Sequence, residues 1–230
     1  ASKVSVVRPG IDPTAFAVRI EPQERDRLRA LLGVGPDQLL VGTVSCLKPQ
    51  KSPEDFIRVA ALVCQRVPAA RCVLVGDGVL RPNIEALLLA QGLQDRVTLL
   101  GWRRDVAALL KTFDVFVLTS QWEGLPCAIL EARASRIPIV ATRVGGAAEA
   151  IVEGIQGTLC PAGDVRAMAE RVCQILEDER FRVDLRTGTQ ELPEEFTIQE
   201  TLKQYQSLYA YLLHATRPSE DVMKLQPNRL

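Results

Sequence analysis

The chain has 230 residues, with 28 lysines and arginines against 28 aspartates and glutamates, so its formal net charge is zero. Duplex-binding domains usually carry a basic excess or stripe; no such run is present, and with 5% aromatic residues few rings are free to stack bases, so nucleic acid is not an expected partner. A composition of 47% hydrophobic and 24% charged residues excludes wholesale disorder.

In chain order, strand candidates are residues 4–7, 39–47, 72–75, 97–100, 115–119, 137–142 and 157–160. Most are continuous apolar runs rich in Val, Ile and Leu, the pattern of strands buried on both faces of a parallel sheet. Helical patterns fill the intervals at residues 53–66, 80–91, 103–111, 126–135 and 165–177. Ser52 and Asp164 stand where N-caps belong, and Pro53 at a first helical position. Gly33, just ahead of the second strand candidate, reads as a helix stop. Residues 180–215 read as helical and increasingly polar, and residues 217–230 as a fraying end. Alternation of this kind implies right-handed crossovers and a doubly wound, Rossmann-like α/β sheet. One such domain over residues 1–195, with a C-terminal helix and tail over 196–230, is the expected architecture.

Six cysteines are scattered without a C-x-x-C pair, and the single histidine, His214, completes no zinc site with them. Several lie in apolar runs, where reduced core cysteines are common, which suits a cytoplasmic protein. No uncharged apolar stretch approaches the ~18 residues of a spanning helix, and nothing at Ala1 resembles a signal peptide. A soluble chain is expected, with room for peripheral membrane association of a longer parent.

Ligands of open parallel sheets bind outside the carboxyl ends of the strands, so the residues that follow each strand carry the functional information. Lys48 and Lys51 follow the second candidate, and Gly76-Asp77-Gly78 the third. Next come Gly101-Trp102-Arg103, then Ser120-Gln121-Trp122-Glu123-Gly124-Leu125-Pro126, then Val144-Gly145-Gly146. Cations, flexible backbone and carboxylates collect on one rim, which fits a phosphorylated ligand bearing hydroxyls. Gly76 and Gly78 are half of a dinucleotide fingerprint, since Arg81 takes the third glycine's place; they indicate close backbone approach without specifying a dinucleotide.

Glu123 and Glu131 are the most informative pair. Glu123 lies in a loop, and Glu131 about 8 Å along the helix that Pro126 opens. That offset is awkward for two carboxylates sharing one bond and suits two that accept from hydroxyls at different parts of a long ligand. Between them the amides of Gly124 and Leu125 offer an anion site. The chain contains no D-x-D and no H-x-x-x-H, so no metal ligands are expected.

These residues resemble the core signature of the retaining glycosyltransferases of family four, which have the GT-B fold. The resemblance rests on Glu123-Gly124-Leu125-Pro126 with Glu131-Ala132, preceded by Asp114-Val115-Phe116-Val117-Leu118. Arg8-Pro9-Gly10-Ile11-Asp12, Leu47-Lys48-Pro49-Gln50-Lys51, Gly76-Asp77-Gly78, Gly101-Trp102, Val144 through Glu149 and Pro161-Ala162-Gly163-Asp164 fit it in order. The resemblance implies metal-independent hexosyl transfer from a UDP- or GDP-linked sugar to an acceptor such as a glycan or lipid, with no separate cofactor. It implies Lys51 at the diphosphate, Glu123 at the donor hexose and reacting centre, Glu131 at the ribose hydroxyls, and residues around Gly101 and Trp102 beside the base.

Two departures stand out. Cys46 occupies the place of an arginine common in the family, leaving Lys48 to supply the second cation. The acceptor-binding N-terminal domain of the GT-B fold is not on this chain, which therefore resembles a donor-binding half, inactive alone. A non-catalytic nucleotide-sugar-binding module, or part of a GT-B-like nucleotide-sugar epimerase, are the alternatives.

Overall fold

A computed structural model of the chain describes residues 4–188 and 191–215, with side chains described up to residue 213. The expected doubly wound sheet is present: six parallel strands, β1 (Leu39–Val44), β2 (Ala70–Val75), β3 (Val97–Gly101), β4 (Val115–Leu118), β5 (Ile139–Thr142) and β6 (Gly157–Cys160). Their order across the sheet is β3-β2-β1-β4-β5-β6. The principal crossovers run through α3 (Pro53–Arg66), α4 (Arg81–Ala90), α5 (Val106–Thr112) and α6 (Cys127–Ala134). A short α7 (Ala147–Ala150) follows β5, and α8 (Val165–Glu177) follows β6. Before the sheet lie α1 (Thr14–Ala17) and α2 (Pro22–Leu31); after it come α9 (Glu179–Gly188) and α10 (Ile198–Ala215).

The apolar runs are continuous because both faces of the sheet are covered. Side chains alternate between faces along a strand: Cys72, Leu74, Val115, Val117 and Val140 join one cluster with Phe56, Val59 and Val63 of α3 and Val172 and Leu176 of α8. Val73, Val75, Phe116, Leu118 and Ile139 join the opposite cluster with Leu109 and Leu110 of α5 and Ile129 and Leu130 of α6. Fully burying each such side chain stabilises by roughly 1.5–3 kcal/mol. Gly42 in β1 is required for space, since a Cβ there would lie 2.1 Å from the Phe113 ring.

The amino-terminal edge of the sheet is tied by a charged knot. Asp114, buried ahead of β4, accepts from Arg25 at 2.9 Å, Arg29 at 3.0 Å, Arg186 at 3.3 Å and the Leu40 amide at 2.8 Å. One carboxylate thereby joins α2, α9, β1 and β4.

Several boundaries differ from the expectations. Residues 4–7 form no strand: Val4 and Val6 are 75% and 83% exposed, and the pairing in this region is made by Ile11, which bridges Thr197. The strand expected over 39–47 spans Leu39–Val44, although the Ser45 and Leu47 amides carry the same hydrogen-bond register onward to the Val75 and Asp77 carbonyls. Ser52 stands at the N-cap of α3 in the left-handed region (φ 45°), yet its hydroxyl donates to Asp55 Oδ2 rather than capping a backbone amide. Asp164 does cap, accepting from the Ala167 amide at 3.0 Å. The helix expected from residue 103 starts at Val106, and Pro126 sits at the N-cap of α6, just outside it. Gly33 ends α2 as expected (φ 71°). The helical expectation for 180–215 resolves into α9 and α10, with a 3-10 turn at Glu194–Phe196 between them. The expectations for the His214 side chain and for residues 217–230 lie outside the described residues.

Candidate functional site

The strand order puts the topological switch between β1 and β4, the crevice where open parallel sheets take ligands. The loops leaving these two strands, residues 45–52 and 119–126, are stitched together there. The Gln121 amide donates to the Gln50 carbonyl at 2.8 Å, and the Gln50 side chain donates to the Trp122 carbonyl at 2.9 Å. The Thr119 hydroxyl lies 3.0 and 2.9 Å from the carbonyls of Lys51 and Ser52 and donates to that pair.

Across this seam two of the expected site residues meet. Lys51 Nζ donates to Glu123 Oε1 at 2.5 Å, and the Ser120 hydroxyl donates to the same oxygen at 2.6 Å. The two side chains are 18% and 6% exposed. Glu123 Oε2 has no hydrogen bond among the described residues, so one carboxylate oxygen is held by protein and the other keeps its acceptor capacity. Behind it, the buried Thr142 hydroxyl at the end of β5 donates to the Ser120 carbonyl at 2.6 Å.

The loops after β4 and β5 touch backbone to backbone. Gly145 has φ 46°, and a Cβ on it would lie 1.9 Å from the Glu123 carbonyl oxygen. The neighbouring Gly146 amide donates to the Gly124 carbonyl at 2.6 Å. The amides of Gly124 and Leu125 make no hydrogen bond among the described residues, so the lead into α6 retains its donors.

Glu131 lies one turn along α6 and is partly buried, and that burial raises its carboxyl above the usual range. Cys127 opens the same helix and was not singled out as a site residue. Its thiol is pushed up by burial first and by Glu131 next, while Lys51 pulls it down and Glu123 adds a small upward push. The i, i+4 spacing of Cys127 and Glu131 is the signal that marks it in sequence.

The second half of the rim lies over β1, β2 and β3. Gly76 (φ 129°) and Gly78 are glycines because the β1 loop crowds them: Cβ atoms there would lie 2.0 Å from the Ser45 carbonyl oxygen and 2.5 Å from that of Leu47. The close backbone approach read from these glycines is thus made by protein. Trp102 is 79% exposed and Gly101 has φ 65°. A cavity of about 160 Å³ is lined by Cys46, Val75, Gly76, Trp102, Arg103 and Val106, among others. Arg103 is held in a bidentate pair with Asp105, at 2.8 and 2.6 Å. Lys48 makes no ion pair among the described residues. The rim therefore has a charged half at Lys51, Glu123 and Glu131 and an aromatic half at Trp102.

Residues 24–192 match the family described as glycosyl transferases group 1. The chain belongs to that family. Among its relatives, a UDP-Gal:alpha-D-GlcNAc-diphosphoundecaprenol alpha-1,3-galactosyltransferase of Escherichia coli is 29% identical over 210 residues, covering 90% of this chain and 54% of that protein. The crystal structure of Anabaena Alr3699/HepE in complex with UDP superposes with a TM-score of 0.79 at 26% identity, covering 90% of this chain and 57% of that one. The C-terminal domain of a glycosyl transferase group 1 family protein (LpcC) from Francisella tularensis shares the fold, with a TM-score of 0.69 at 21% identity, and 94% of that chain is covered. This glycosyl transferase group 1 chain thus spans about half the length of the full-length proteins it matches.

Proposed function

We propose that this chain is the donor-binding half of a metal-independent, retaining glycosyltransferase that takes a hexosyl group from a nucleotide-diphosphate sugar. The observation that carries the proposal is the meeting of Lys51 and Glu123 at the switch point, with the open amides of Gly124 and Leu125 beside them and Glu131 one turn along α6. A donor lies across the rim with its base toward Trp102 and the small cavity beside Cys46. Its ribose hydroxyls donate to Glu131, its diphosphate takes Lys51 and the helix-start amides, and its hexose faces Glu123. Lys51 exchanges one anionic partner for another when the donor arrives, and Glu123 stays oriented by Ser120.

The UDP-bound state of HepE supports a UDP-type donor. Metal independence rests on the donor set: the sequence has no D-x-D, and the described residues contain no cluster of His, Cys, Asp and Glu arranged for a metal. The coverage of the LpcC C-terminal domain, together with the half-length match to full proteins, supports an acceptor domain elsewhere in the parent enzyme. We assign the transfer to a cytoplasmic parent, with acceptor choice residing mainly in that second domain.

Calorimetry of the chain with UDP, GDP and UDP-hexoses tests the assignment. UDP binding in the millimolar range or tighter is expected, weakened about tenfold by Glu131→Ala. Glu123→Ala should leave UDP affinity nearly intact and abolish the added affinity of the sugar. A folded chain that binds neither nucleotide at millimolar concentration overturns the proposal.

A further inference from the structure

At the pole of the sheet opposite the switch point, cations outnumber acids steeply. Arg19, Arg25, Lys111, Arg136 and Arg186 line one cavity of about 430 Å³, together with Ser135. They come from the α1–α2 loop, α2, α5, the end of α6 and α9. The carboxylate in their midst is Asp114, already shared by Arg25, Arg29 and Arg186. Glu191, in an adjoining cavity with Arg136, makes no ion pair among the described residues.

Part of this charge is structural. Arg25 donates to the carbonyls of Lys111 and Thr112, Arg29 to those of Thr112 and Gln38, Arg186 to that of Phe113, and Lys111 to that of Phe16. Cations at the end of α5 also complement its dipole. These bonds leave a remainder. Arg19 and Arg136 have no partner among the described residues. Arg186 Nε and Ser135 Oγ are buried without a hydrogen bond, although Ser135 is only 9% exposed. Buried polar groups are rarely left so. Apart from Glu191 in the adjoining cavity, the unmatched groups here can all donate.

Arg136 sharpens the point. It follows α6 in the left-handed region (φ 57°), the place where helices usually end on glycine. A long cation is thus kept at a strained position beside Lys111, whose ammonium is already pulled down to about 8 by burial first and by Arg136 second.

We propose that this cavity is a second anion site, separate from the donor crevice, that binds a small soluble phosphorylated molecule of about diphosphate size. Its oxygens would accept from Arg19 and Arg136, which are exposed at the cavity, and spread negative charge over a cluster that Asp114 alone does not balance. Occupancy would clamp α2, α6 and α9 around the amino-terminal ends of β4 and β5.

The test is calorimetry at low ionic strength with inorganic pyrophosphate on three proteins: the parent chain, Lys51→Ala, and the double variant Arg19→Ala with Arg136→Gly. Glycine suits the conformation at residue 136, so the double variant keeps its fold, which its melting temperature verifies. Pyrophosphate should still bind Lys51→Ala, whose donor crevice is disabled, and bind the double variant at this pole at least about tenfold more weakly. UDP binding should be unchanged in the double variant, so the two sites fail independently. If Lys51→Ala abolishes pyrophosphate binding, or the double variant binds it with the parent's full stoichiometry and affinity, the second site does not exist.

Discussion

Glu131 shows how one buried carboxylate ties binding to stability. Burial raises its folded-state value, so the ionised form is disfavoured in the native protein. The carboxyl therefore protonates, as pH falls, earlier than an ordinary glutamate, and its destabilising effect is relieved over that same interval. The carboxylate is also the proposed acceptor for ribose hydroxyls, so UDP affinity should decline on acidification from a pH above the usual glutamate range. Glu131→Gln should flatten that decline, weaken UDP at neutral pH and raise the melting temperature there. Calorimetry between pH 5 and 7.5, paired with thermal denaturation, reads both effects. A Gln variant that keeps the acid limb would assign it elsewhere. Cys127 gives a second residue-scale readout, because its thiol lies at the start of the same helix. Its alkylation should slow at saturating UDP and speed up with rising pH, since the thiol is exposed and its surroundings raise it above the usual range. Mass spectrometry of the labelled peptide measures this, and a labelling rate indifferent to UDP would remove the nucleotide from α6.

Among the elements, those with a strong local signal are the ones legible in the sequence. The α3 and α8 patterns, with Pro53 and Asp164 at their starts, match their observed spans, and β6 matches residue for residue. Residues 4–7 mislead because alternating valines resemble a strand, yet a strand exists only where a neighbour offers its backbone, and here Ile11 takes that pairing. The helix α2 is hard to see because its inward side carries Arg25 and Arg29 instead of an apolar stripe. Their partner, Asp114, lies more than eighty residues away, so only the fold reveals why arginines face inward. The same holds in the site: Glu123 and Lys51 stand out as chemistry, whereas Ser120 and Thr142, which orient them, look like ordinary strand-end residues. The charged knot at Asp114 yields its own expectation. Asp114→Asn leaves Arg29, 4% exposed, without its counter-charge, and breaking such a buried pair costs about 3–5 kcal/mol. Guanidinium denaturation should show that loss, while UDP binding at the opposite pole persists in the folded fraction. A variant as stable as the parent would mean that the three arginines are held by the carbonyls alone.

For the whole molecule, the zero net charge conceals an organised asymmetry. One end of the sheet presents a lysine and two glutamates among open amides; the other presents a surplus of arginines. A uniform patch on either end would suit a polymer, whereas localised charge inside crevices suits small anions. The chain also covers about half of its full-length relatives, so under the proposed function transfer needs a second, acceptor-binding part. Hydrolysis or transfer of UDP-hexose, assayed by release of UDP, should be absent for this chain while the nucleotide binds. Turnover by the isolated chain would show that the acceptor half is dispensable.

The central place of β1 has a further consequence. Its loop, residues 45–52, presses Ser45 and Leu47 against the glycines after β2 and reaches with Lys51 to the carboxylate after β4. The Trp102 side and the Glu123 side therefore share this one arch and otherwise stand on separate strands. On the proposed donor placement, substitutions at Trp102 should change nucleobase preference while leaving the Lys51–Glu123 pair intact, whereas those at Cys46 act on the shared arch. If the donor lies as proposed, its two ends rest on different strands and are joined only through this loop.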